Sequence, residues 1–128
     1  MKSIDPSKTN GYITKAEKSL EMAKIAREKG AFDNAVMSAI HSAINALDAL
    51  TTSYLGKRSS GQHAEVLSLI KGIFPSQEYG EISSQFTSLL SLKNESEYQP
   101  NLLKDGDAEN SIKWADRILT KVQAKMKR

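Results

Sequence analysis

Two short clusters hold the residue types that could act on a phosphate. The first is Arg58-Ser-Ser-Gly-Gln-His63. An arginine grips a phosphate through paired N–H donors while a neighbouring histidine moves protons near neutral pH, the pair that a metal-free ribonuclease requires. The second is Leu92-Lys93-Asn94-Glu95-Ser96-Glu97-Tyr98, where a cation, an amide and a phenol gather at a predicted helix end. Each has a plainer alternative. With four arginines and two histidines in the chain, an Arg-to-His spacing of this kind arises readily by chance. His63 falls on an apolar helix face, where it could simply satisfy a neighbouring helix end. Lys93 could cap the carbonyls of its own helix, and Tyr98 could sit at a core edge with its hydroxyl in water. A third group, His41, Asn45, Asp48 and Thr52, forms a polar stripe on an otherwise apolar helix, and buried polar groups in line need partners.

Other chemistries lack their residues. There is no G-x-x-x-x-G-K or G-x-G-x-x-G loop for a nucleotide, no H-E-x-x-H and no G-x-S-x-G. Cysteine is absent, which removes disulfides and thiolate ligands, and two histidines 22 positions apart make an intrachain zinc site improbable. Neither a metal nor a cofactor is expected.

The elements that must position these clusters are helical. From Phe32 to Tyr54 the residues Val36, Ile40, Ala43, Ile44, Leu47, Leu50 and Tyr54 recur at helical spacing, which predicts a long central helix facing a core. Before it, Ile13, Ala16, Leu20 and Ala23 predict a first helix over Tyr12–Lys29, with Asn10 as candidate cap and Gly30 as stop. Gly30-Ala31 leaves so little chain that the two helices should form an antiparallel hairpin, with Asp33 or Asn34 capping the second. Gly56 to Gly61 reads as a basic turn, and Ser59 with Gln62 fits a capping box that opens a third helix from about Gln62 to Phe74, stopped by Pro75. Ile82, Phe86, Leu89 and Leu90 predict a fourth helix from Tyr79 to about Tyr98, ended by Pro100. Asp107 should cap a fifth, in which Ala108, Ile112, Ala115, Leu119, Val122 and Met126 form the inner stripe. No period-two alternation predicts a strand. The expected architecture is all-α, a compact bundle of about five helices with residues 1–9 frayed and residues 10–128 as a single domain.

The 128 residues suffice for one hydrophobic core. The net charge of +3 is uneven: residues 113–128 hold Lys113, Arg117, Lys121, Lys125, Lys127 and Arg128 against Asp116 alone, and the other 112 residues sum to −2. Attraction to phosphates should concentrate there, although such a ladder equally suits a solvated helix ending in lysines. No apolar run at the start resembles a signal peptide and none is long enough to span a membrane, so a soluble cytoplasmic protein is expected.

The alanine-rich DNAVMSAIHSAINALDAL, the turn leading into GKRSSGQHAEVLSLI and the helix ending LLSLKNESEYQP together resemble the HEPN domain over about residues 10–125. The resemblance implies an antiparallel up-and-down helical bundle that dimerises. Many small prokaryotic members pair with a minimal nucleotidyltransferase in toxin–antitoxin modules. Active members are metal-independent endoribonucleases whose R-x(4–6)-H motif, near the end of the fourth-helix segment, meets its copy at the dimer interface. Carried over residue by residue, the motif arginine falls on Lys93, the polar residue after it on Asn94 and the histidine on Tyr98. Lysine lacks the planar fork of arginine, and a phenol with a reference pKa of about 10 shuttles protons poorly at neutral pH. These departures argue against catalysis. Arg58 and His63 have the literal spacing but precede the third helix, where similar subgroups carry a small polar residue and a histidine lining the same cleft.

The resulting expectation is a homodimer that binds nucleotide or RNA phosphates between its subunits through Lys93, Asn94 and Tyr98, with Arg58 and His63 nearby. His41, Asn45 and Asp48 would hydrogen-bond within or across subunits. The interface should exceed about 1,200 Å². The protein would serve as the non-catalytic partner of a nucleotidyltransferase, with the Tyr98 hydroxyl as a possible acceptor of a nucleotide. The alternative is a metal-independent endoribonuclease using Arg58 and His63.

Overall fold

The structure, a computed structural model, describes residues 2–59, 65–98, 100 and 102–127, with only the backbone for Lys2 and Tyr98. Helix α2 (Phe32–Leu55) is its axis, and Val36, Ile40, Ala43, Leu47 and Leu50 on its apolar stripe are completely buried. Helix α1 (Thr9–Glu28) lies antiparallel to it: Gly30, at φ 75°, turns the chain, and its N–H donates to the Arg27 carbonyl while that of Ala31 donates to Ala26. This is how a glycine closes a helix, because only a residue without Cβ takes that conformation freely. Further along the pair, the Ser42 hydroxyl donates to the Ala16 carbonyl across 2.7 Å, a close approach that the alanines on both helices permit.

Helix α3 (Glu65–Ile70) is short. Helices α4 (Ser76–Tyr98) and α5 (Asp105–Met126) complete the bundle. Helix α4 runs antiparallel to α2, its end tied to the start of α2 by the Ser96 hydroxyl, which donates to Asp33. Helix α5 runs parallel to α2. Arg27 at the end of α1 bonds Asp105 and Glu109 at its start, and the Tyr54 hydroxyl at the end of α2 donates to the Lys125 carbonyl near its finish. Ile82, Phe86 and Leu89 of α4 and Ala115, Ile118 and Val122 of α5 meet the α2 stripe in one continuous core. The expected all-α architecture of five helices is what the chain adopts.

The start of the chain departs from expectation. Residues 2–3 form a strand, β1 (Lys2–Ser3), antiparallel to β2 (Lys57–Arg58), and the Ile4 N–H donates to the Gly56 carbonyl across 2.8 Å. A 3-10 turn, Pro6–Lys8, then feeds directly into α1, so the helix begins at Thr9 and Asn10 caps nothing. The two strands escape a sequence reading because two residues each are too few to show a period. Nor does Asp33 cap α2, whose N-cap is Ala31. Pro75 precedes α4, and its carbonyl accepts from Tyr79, which is why that helix begins at Ser76 and not at Tyr79. Of the predicted third helix, Gln62 and His63 lie outside the described residues, and Ser59 is committed elsewhere.

Candidate functional site

The Lys93–Tyr98 corner is held by Asp33. One carboxylate oxygen accepts from the Ser96 hydroxyl at 3.0 Å, and the other from the Leu103 N–H at 2.9 Å. Being in the first turn of α2, Asp33 also meets the positive end of the helix dipole. A single side chain thus pins the last turn of α4 and the entry to α5 against the start of α2. Within this frame Lys93 is half-buried, and its ammonium group donates to the Glu97 carboxylate one turn on, at 2.9 Å. Asn94 is exposed beside it. The Tyr98 side chain lies outside the described residues.

The other cluster sits on a different level of α2. Gly56, at φ 62°, ends α2 in a left-handed turn. Lys57 and Arg58 then run as β2 against β1, and the chain folds back until the Ser59 hydroxyl donates to the buried Asp48 carboxylate at 3.3 Å. The half-buried Arg58 donates to the Ser59 carbonyl. Asp33 and Asp48, which anchor the two clusters, are fifteen residues apart on α2, about 22 Å along its axis. Within one chain the structure therefore does not bring Arg58 to Lys93. His63 lies outside the described residues.

The polar stripe of α2 changes character along its length. His41 is exposed, and the Asn45 amide donates to the His41 carbonyl at 2.8 Å. Asp48 is only 7% exposed because the folded-back segment covers it, and Thr52 is fully buried with its hydroxyl unpartnered among the described residues. The inner half of the stripe is thus buried inside the chain. Its outer half, with the half-buried Met37 and Ile44 alongside at helical spacing, faces outward.

The basic ladder on α5 is partly neutralised. Lys121 bonds Glu81 of α4, and Lys113 lies 3.9 Å from Glu109 on its own helix. Lys125 lies over the Phe74 ring at 5.9 Å from the centroid. The Lys121 hydrogen bond and then its charge hold the Glu81 carboxyl below the usual glutamate value. Two of the ladder's cations, Lys113 and Lys121, are thus paired with acids of α5 and α4. Among the described residues no helix is long and apolar enough to cross a membrane.

An all-α bundle with a cation, an amide and a helix end pinned at one corner defines a class of small helical domain, and comparison with known proteins places it. Residues 9–125 match the model of the HEPN domain. The chain belongs to the HEPN domain family. The fold is also that of ST0689, an archaeal HEPN homologue, which is 22% identical and superposes with a TM-score of 0.76 over 99% of this chain and 100% of its own. TT1696 from Thermus thermophilus, 18% identical, superposes equally well at 0.76 over 92% of this chain and 98% of its own. No curated protein sequence matches this one significantly. What sequence reasoning missed is Asp33, read as a cap. No local signal could have shown that its partners stand more than sixty positions away.

Proposed function

We propose that this HEPN domain forms a homodimer that binds nucleotide or RNA phosphates in a cleft between subunits, as the non-catalytic partner of a minimal nucleotidyltransferase. The observation that carries the reading is the corner itself. By the family resemblance Lys93 and Asn94 take the places of the motif arginine and the polar residue after it, and Asp33 ties their end of α4 to the first turn of α2, the helix that carries the outward-facing stripe. The outer half of that stripe, with Met37, His41, Ile44 and Asn45, is the kind of mixed apolar and polar face that a second copy covers. The Glu97 contact does not preclude phosphate binding. A half-exposed ion pair is worth at most about 1 kcal/mol, so a phosphate that offers more can displace it.

Catalysis is not part of the proposal. Lysine and tyrosine at the two essential positions supply neither the planar clamp nor a proton shuttle at neutral pH. The about 22 Å between the anchors of the two clusters also keeps Arg58 from replacing the motif arginine within the same chain. Arg58 could serve such a cleft only from the partner copy. In this reading the Tyr98 hydroxyl is the candidate acceptor for a nucleotide from the transferase.

The test is RNA binding followed by salt titration, run beside RNA incubation in EDTA. We expect binding that weakens steeply with salt, falls in Lys93→Ala and strengthens in Glu97→Gln, which frees the ammonium. No cyclic phosphate ends should appear. Salt-independent binding, or none, would remove the proposal. Cleavage in EDTA that His63→Ala abolishes would replace it with the ribonuclease reading.

A further inference from the structure

Away from the Lys93 corner, the N-terminal segment and the first turns of α1 border an open surface groove of about 450 Å³. Ile4, Asp5, Lys8, Tyr12 and Lys15 line it together with Gly11. Its walls are fixed from both sides. The Ile4 N–H is bonded to Gly56, the Ser7 N–H to Asp5, and the Thr9 hydroxyl to the Pro6 carbonyl. The groove therefore exists before anything enters it.

Two observations indicate what it would hold. Lys8, Tyr12 and Lys15 follow one another at i, i+4 and i+7, a spacing that puts an aromatic residue and two lysines on one side of the helix, and all three line the groove. Asp5 faces Lys8 and is also occupied by Ser7, whereas Lys15 makes no ion pair among the described residues, which leaves the groove one positive charge in excess. The second observation is Gly11. Glycine is a weaker helix former than alanine, and here nothing packs against it: an added Cβ would stand in open space, with no described atom within 4 Å. A side chain at that position would instead occupy the groove that Gly11 lines.

We propose that this groove binds a small anion bearing an aromatic ring, the ring stacked on Tyr12 beside the bare backbone of Gly11 and the anionic group between Lys8 and Lys15. The site is complete within one chain and does not depend on the intersubunit reading. The experiment is titration of the isotopically labelled full chain with phenyl phosphate, benzoate and inorganic phosphate, followed by amide chemical shifts. Saturable shifts over residues 3–15 are expected with the aromatic probes, with inorganic phosphate binding about tenfold more weakly. Gly11→Leu, which raises helix propensity and so keeps the fold, should abolish them, and Lys15→Gln should weaken binding about tenfold. Saturable shifts confined to residues 93–97, unchanged binding in Gly11→Leu, or no saturation by either aromatic probe would overturn the proposal.

Discussion

Asp33→Ala removes a side chain that joins three elements at the candidate corner. The carboxylate accepts from the Ser96 hydroxyl at 3.0 Å and the Leu103 N–H at 2.9 Å. Hydrogen bonds to a charged acceptor contribute about 1.5–3 kcal/mol each when buried. Asp33 is half-buried, so the lower figure or less applies. Loss of the favourable charge at the start of α2 adds about 0.5 kcal/mol. The sum is about 2–3 kcal/mol, equivalent to a fall in Tm of roughly 8–12 °C for a domain of this size. Asp33→Asn keeps one acceptor oxygen and should lose about half as much. The assay is urea unfolding by far-UV circular dichroism at fixed protomer concentration, which any self-association makes necessary, with an unchanged m-value. Ser96→Ala should be markedly less damaging in the Asp33→Ala background than in the wild type. An Asp33→Ala protein within about 0.5 kcal/mol of wild type would refute the clamp, because surface substitutions without a structural role fall in that band.

Three further outcomes follow from other parts of the bundle. Gly56→Ala should cost about 1 kcal/mol, because Gly56 sits at φ 62° and its added Cβ would meet the Ile4 carbonyl only at an ordinary 3.6 Å; the cost is conformational, and a neutral result in urea unfolding would contradict it. Phe86→Ala, at a completely buried ring in α4, should lose about 3–5 kcal/mol in the same assay, and a loss below about 1 kcal/mol would argue against the α4 packing described. The Arg27 hydrogen bond holds the Asp105 carboxyl below its ordinary 3.8, and the Lys121 hydrogen bond holds that of Glu81 below 4.5. Depressed carboxyl pKa values contribute stability that is complete above the unfolded values and lost as pH falls through the folded ones. The urea midpoint should therefore be flat above about pH 5 and fall below it. Arg27→Ala should make that fall shallower, and an unchanged slope would contradict the assignment.

How much of this the chain declares in advance depends on the range of the interaction. The stripes of α2 and α5 are legible because a core-facing helix must repeat its apolar residues every three or four positions, and Val36 through Leu50 do so. Gly30 and Gly56 are legible as breaks because each lies just past such a stripe, and both hold positive φ. The strand pair of residues 2–3 and 57–58 is not, because its stability comes from a partner fifty-odd positions away. The same holds for the site. Lys93, Asn94 and Arg58 stand out by residue type, but their spacing in space follows from which ends of α2 and α4 meet, and that is settled by Asp33 with Ser96 and Leu103. The pairing within the α5 ladder is hidden for a related reason: Glu81, which bonds Lys121, lies forty positions earlier.

The central claim, that two copies meet at the Lys93 corners, can be measured as a distance. The chain has no cysteine, so Asn94→Cys accepts a single spin label without background, next to Lys93 yet outside the Asp33 clamp. Pulsed electron spin resonance on the labelled protein should give one intersubunit distance below about 30 Å, shorter than the roughly 36 Å length of α2. A distance beyond about 50 Å, or no dipolar signal at all, would mean that the corners do not meet.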